Sequence, residues 1–125
     1  MQMPTPDSGI IARKARVVAR LRAALPRNAV IDDEHETRAY ECDALTAYKC
    51  PPLAVTLPAS TQEVSTVLRI CHEEGVPVVP RGSGTSLAGG ALPTADSVVL
   101  GVARMAEVLE VDYDNRLMRV QTGRT

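Results

Sequence analysis

The residues best suited to chemistry lie in one stretch, Pro80 to Ala91, which reads PRGSGTSLAGGA. Five of the eight glycines fall between Gly75 and Gly90, and four of them (Gly82, Gly84, Gly89, Gly90) lie inside the stretch. Glycine lets the backbone curl through conformations closed to other residues. Successive N–H groups in such a curl point inward and form a concavity for an anion. Arg81 adds a fixed positive charge, and Ser83, Thr85 and Ser86 add hydroxyl donors. No acidic residue occurs between Glu74 and Asp96. The combination predicts a cradle for a phosphate-bearing cofactor. The alternative is a plain glycine-rich surface loop, but structureless loops of this length are uncommon unless functional.

The neighbouring elements decide where that loop sits. Leu53 to Leu57 (LAVTL) is a short apolar run stopped by Pro58, which predicts a buried strand. Ser60-Thr61-Gln62-Glu63 fits a capping box that opens a helix. Val64, Val67, Leu68 and Cys71 recur at helical spacing, and Gly75 fits the left-handed position that closes the helix. His72, in the last turn, reads as a surface residue. Val76 to Val79 predicts a second strand, so strand, helix and strand form a βαβ unit with parallel strands. Ligands of open α/β sheets gather beyond the carboxyl ends of the strands. The glycine loop begins at that end. Ser97 to Val102 predicts a third strand. Val108 to Asp112 and Leu117 to Gln121 predict a hairpin around Tyr113-Asp114-Asn115-Arg116.

Two familiar phosphate loops do not fit. A Walker A loop needs a lysine near its end, and no lysine follows Lys49. A GxGxxG fingerprint fails because Leu87 takes the third glycine position, and Gly89, Gly90 and Pro93 prevent a helix from running directly on. The loop joins two strands.

Upstream, residues 1–9 carry two prolines and predict a disordered leader. A helix follows from Ile10 to Leu25 and is ended by Pro26. Arg13, Lys14, Arg16, Arg20, Arg22 and Arg27 make it basic. Such a face is either solvated or a dock for an acidic partner or membrane surface. Asp32, Asp33, Glu34, Glu36, Glu41 and Asp43 reverse the charge, and a short capped helix is expected over residues 33–41. Consecutive acidic residues fan outward, so no metal site is expected there.

At 125 residues the chain is one domain or part of one. Only 2% of it is aromatic and its net charge is -1, which argues against a nucleic-acid binder and predicts an aliphatic core. Cys42, Cys50 and Cys71 are odd in number and lack C-x-x-C spacing. That argues against a disulfide framework or zinc site and for a reducing compartment. No apolar run approaches the ~18 residues of a membrane span, so a cytoplasmic protein is expected.

Residues 38–123 resemble the N-terminal part of a vanillyl-alcohol-oxidase-type flavoprotein with a PCMH-type FAD-binding domain. Within that family they are similar to the FAD subunits of bacterial glycolate oxidases and to D-lactate dehydrogenases. YECDALTAYKCPPLAVTLPAST, VPVVPRGSGTSLAGGALP and the closing VQTG carry the resemblance. It implies an α+β fold: a βαβ-β subdomain plus the first hairpin of a following antiparallel sheet. Residues 1–9 would be leader, 10–50 a helical segment and 51–125 a partial, C-terminally truncated FAD-binding domain. Backbone amides of Arg81, Gly82, Ser83, Gly84, Thr85 and Ser86 would hold the FAD pyrophosphate. Gly89, Gly90 and Ala91 would lie nearby, and Pro58 and Pro80 would border the nucleotide. Some relatives link flavin covalently to a loop histidine. Thr85 stands at the matching position, so non-covalent FAD is expected. The implied reaction oxidises a small 2-hydroxy acid and passes electrons to a partner subunit or quinone, with membrane association only through such partners. The family's catalytic residues would follow Thr125, so none is assigned here. The alternatives are a stand-alone nucleotide- or phosphate-binding module without activity and an inactive fragment.

Overall fold

The computed structural model describes residues 3–125. Met1 and Gln2 of the expected leader lie outside the described residues. The first helix, α1 (Ser8–Ala12), starts two residues before the expected Ile10. Asp7 sets the start: its carboxylate accepts from the N–H groups of Gly9 and Ile10. Its own N–H donates to Asp96 Oδ2 at 2.8 Å, which ties this end of the chain to the far side of the glycine loop.

The expected single helix is two. Arg13 leaves the helical path, and α2 (Lys14–Ala24) follows. Val17, Val18 and Leu21 form its buried stripe. Next come β1 (Val30–Ile31), α3 (Glu34–Thr37) and a 3₁₀ turn at Arg38–Tyr40. The two-residue β1 was not expected; it is held by antiparallel pairing to β2 (Ala54–Thr56). Asp33 caps α3 by accepting from the His35 and Glu36 N–H groups. These bonds, the Glu36 one foremost, hold its carboxyl below the usual carboxylate range.

The long helix α4 (Thr61–Glu74) begins and ends as expected. Ser60 Oγ accepts from the Glu63 N–H at 3.2 Å. The Glu63 carboxylate reaches back one residue further than in a standard box, to the Ala59 N–H at 2.8 Å. Gly75 closes the helix at φ 67°, where its N–H and that of Val76 bond the last carbonyls. The apolar face is rotated from the expected one. Val67, Ile70 and Cys71 are buried, while Leu68 is exposed.

β3 (Val78–Arg81) and β4 (Val98–Gly101) complete a four-stranded sheet in the order β1-β2-β4-β3. β2 and β3 are both parallel to β4, which lies between them. The βαβ strands are parallel, as expected, with β4 inserted between them. Pro77 and Pro80 are accommodated because β3 is an edge strand, where a missing N–H need not face a partner. Ala54, Val98 and Leu100 join α2 and α4 in one aliphatic core, while Val55 and Val99 are fully buried on the opposite face of the sheet. The hairpin of β5 (Val108–Asp112) and β6 (Leu117–Val120) forms as expected, with Arg116 at φ 55° in its turn. Its apolar residues, Leu109, Val111, Leu117 and Met118 among them, are exposed. Among the described residues no helix is long and apolar enough to cross a membrane.

The basic helix has its partner inside the chain. The Glu74 carboxylate, only 3% exposed, receives Arg20 at 2.7 Å and Arg16 at 3.1 Å, with Arg13 at 3.5 Å. Arg20 also pairs with Glu73, and Arg22 pairs with Asp32. Of the two readings of this face, the solvated one fits these contacts: its central arginines pair with α4 while staying part-exposed. The Arg20 hydrogen bond, helped by Arg16, holds the Glu74 carboxyl below its ordinary range.

Candidate functional site

Residues 82–97 connect β3 to β4, so the glycine loop leaves the carboxyl end of one parallel strand and returns to the start of its neighbour. The structure brings most of the expected residues together here. Pro80 and Arg81 belong to β3, opposite Leu100 and Gly101. Gly82, Ser83 and Thr85 are exposed, and Gly84 and Ser86 are half-buried. Gly84 at φ 72° and Gly89 at φ 77° adopt the left-handed backbone that glycine permits.

Among the described residues, the backbone N–H groups of Gly82 through Leu87 donate to no protein acceptor. The far limb of the loop is different. Ser86 Oγ accepts from Ala88 N–H at 3.2 Å and Gly90 N–H at 3.3 Å. Leu92 N–H donates to the Gly89 carbonyl. The near limb thus offers a row of free donors, and the loop itself contains no acidic residue before Asp96. That is the chemistry of an anion cradle.

Three expected residues take other positions. Pro58 is fully buried and presents no face to a ligand. Ala91 is also buried, beside Leu92 and Pro93, at the foot of the loop. The Arg81 side chain lies against the near limb, over Gly84, but its hydrogen bond runs to another segment. Its Nη1 donates to the Cys42 carbonyl at 2.7 Å, and its guanidinium lies 5.7 Å from the Tyr40 ring centroid. That distance is within cation–π range. A Cβ added to Gly84 would stand 2.2 Å from Arg81 Nη2.

Tyr40 and Cys42 were missed by sequence reasoning. Cys42 lies 39 residues from the arginine it binds, and no periodicity links them. The bond from Cys50 N–H to the Glu41 carbonyl at 2.8 Å closes the intervening turn and presents the Cys42 carbonyl. Asp43 in the same turn is buried; its Oδ1 accepts from Leu45 N–H, while Oδ2 has no partner among the described residues, which nothing in the structure explains. The thiol of Cys71 is buried in the helix–sheet core, and burial pushes it up to about 11.

Residues 52–125 match the family described as the FAD binding domain. The chain is 42% identical over 110 residues to the glycolate oxidase subunit GlcD of Escherichia coli strain K12, covering 88% of this chain and 22% of that protein. It is 41% identical over 92 residues to D-lactate dehydrogenase of Archaeoglobus fulgidus, covering 66% of this chain and 20% of that protein. The chain thus spans about a fifth of the length of these relatives. In fold it is similar to the solved structure of p-cresol methylhydroxylase with substrate bound, at a TM-score of 0.80 and 21% identity, covering 96% of this chain and 24% of that one. The α+β architecture is that of a PCMH-type domain. The chain belongs to the FAD binding domain family, with the glycine loop inside the matched residues.

Proposed function

We propose that this chain supplies the pyrophosphate-binding part of the FAD site in a flavin-dependent oxidoreductase acting on a small 2-hydroxy acid. The observation that carries the reading is the run of free N–H donors from Gly82 to Leu87, at the carboxyl end of the parallel strand β3. Those amides, with the Ser83 and Thr85 hydroxyls, would hold the two phosphates. Gly89 and Gly90 would let the far limb approach closely. Pro80 would border the nucleotide, whereas buried Pro58 and Ala91 would shape the floor beneath it. When bound, FAD accepts two electrons as hydride from a substrate carbon, and the protein's part is to hold and orient it. No residue of this chain is assigned to the reaction. The substrate class follows from resemblance to the glycolate and D-lactate enzymes, and the electron acceptor would be a partner subunit or quinone.

FAD would be held non-covalently. The chain has only two histidines, His35 in α3 and His72 in the last turn of α4, and the loop presents Thr85 instead. Three or four hydrogen bonds to a charged phosphate give roughly 4 to 12 kcal/mol gross. Association and loop ordering offset about 4 kcal/mol or more of that. The expected dissociation constant for the chain alone is roughly micromolar to millimolar.

Titrating the chain with FAD, FMN, ATP and ADP while following thermal unfolding tests the reading. The largest shift should come from FAD, and acid precipitation should leave all flavin in the supernatant. A preference for ATP would sink the flavin assignment. In the holoenzyme that carries this chain, glycolate or D-lactate should bleach the visible flavin band.

A further inference from the structure

The near limb of the loop has nothing of its own to keep it in shape. Ser86 ties only the far limb, through Ala88 and Gly90. What touches the near limb is the Arg81 guanidinium, which packs over the Cα of Gly84. The same group donates to the Cys42 carbonyl and faces the Tyr40 ring. One planar cation therefore contacts three residues on two separate pieces of chain.

We propose that Arg81 is a positioning residue whose side chain braces the cradle against the turn around Tyr40 and Cys42, leaving the phosphate to the backbone. The inference rests on the FAD reading above. Arginine alone suits the role. Its rigid fork donates along the edge while its flat face stacks on a ring, and a lysine ammonium does not do both. Gly84 is then required twice, once for its backbone angle and once for the space the guanidinium fills. Tyr40 and Cys42 lie outside the matched residues 52–125, so the order of the cradle depends on a segment the family model does not cover. A loop ordered before binding gives up less freedom on binding, and so binds more tightly.

The test uses the full chain and four variants: Arg81→Lys, Arg81→Ala, Tyr40→Leu and Tyr40→Phe. Three quantities are read: the ¹⁵N heteronuclear NOE of residues 82–90 without cofactor, the dissociation constant for FAD, and the thermal midpoint. Arg81→Lys and Tyr40→Leu should both lower the NOE and weaken FAD binding about tenfold. The thermal midpoint should hardly move, because the loop lies outside the core, and Tyr40→Phe should behave as the parent chain. If Arg81→Lys binds FAD like the parent while Arg81→Ala fails with a rigid loop, the charge contacts phosphate and the brace is wrong. The brace is equally wrong if neither Arg81→Lys nor Tyr40→Leu changes the NOE, or if both lower the midpoint as far as a core substitution does. If the loop loosens as expected but the parent chain takes up no FAD, the brace stands and the FAD reading falls.

Discussion

Replacing Gly84 with alanine strikes the cradle at its tightest point. At φ 72° an alanine pays the left-handed penalty, about 1 to 2 kcal/mol. Its Cβ would also lie 2.2 Å from Arg81 Nη2 and 2.4 Å from Cζ. The guanidinium is the far end of a flexible side chain, so it swings aside at little steric cost. In moving it gives up the hydrogen bond to the Cys42 carbonyl, worth about 1.5 kcal/mol at the low end for a charged donor. Together the two terms come to about 3 kcal/mol, and that is the cost of restoring the bound shape of the loop. It corresponds to a roughly hundredfold weaker FAD dissociation constant. Since the loop can open instead of straining the core, the thermal midpoint should change far less than the affinity. An NMR titration with FAD that follows the amides of residues 82–90 reads the affinity. Gly82→Ala is the control without cofactor, because nothing lies within 4 Å of a Cβ there and its stability should match the parent. A second comparison is sharper. In the Arg81→Ala background Gly84→Ala should cost less, since the clash is gone. Undiminished FAD affinity in Gly84→Ala would falsify the placement of the cradle.

Other consequences can be measured on the same chain. Glu74 has its folded pKa held below the ordinary 4.5, chiefly by Arg20, so its contribution is full above pH 4.5 and is lost as pH falls through the folded value. Glu74→Gln should lower the thermal midpoint at pH 7 and flatten its decline below pH 4.5; an unchanged acid limb would show that the arginine cluster is idle. Thiol labelling of the native chain should modify the half-buried Cys42 and Cys50 and spare Cys71, whose buried thiol stands near 11. Equal labelling of all three would mean the helix–sheet core is open. Ser60→Ala should cost about 1 kcal/mol in urea unfolding, through loss of the bond to the Glu63 N–H. A change near zero would show that the Glu63 bond to Ala59 is enough to cap the helix.

What could be read from the residues was local. The cap at Ser60, the glycine stop at Gly75, the apolar runs of β2 and β4 and the turn of the hairpin each announce themselves within a few positions. The loop could be found because its glycines follow a strand. What escaped was set by partners far along the chain. The ion pairs of Arg13, Arg16 and Arg20 could not be foreseen because Glu74 stands 54 to 61 residues away. Leu68 looked buried because helical spacing alone does not choose between adjacent faces, and Ile70 took its place. The two residues of β1 carry too little pattern to be seen without their partner strand. Arg81 was read as a charge for the ligand, while its bonds run to a turn that no motif connects with it.

The central position of β4 also makes the sheet and the loop depend on one strand. Without residues 98–101, β2 and β3 are separated by the width of one missing strand, about 9.5 Å from the strand spacing, and bond to nothing between them. The glycine loop is the tether that connects β3 to β4 in that slot. Its two ends are fixed where the strand pairs, through bonds such as Val98 N–H to Pro77 and Val102 N–H to Arg81. Every hydrogen bond between the parallel strands of the sheet therefore involves β4. One strand therefore holds both parallel neighbours and both ends of the loop, so a lesion in β4 would loosen sheet and cradle together.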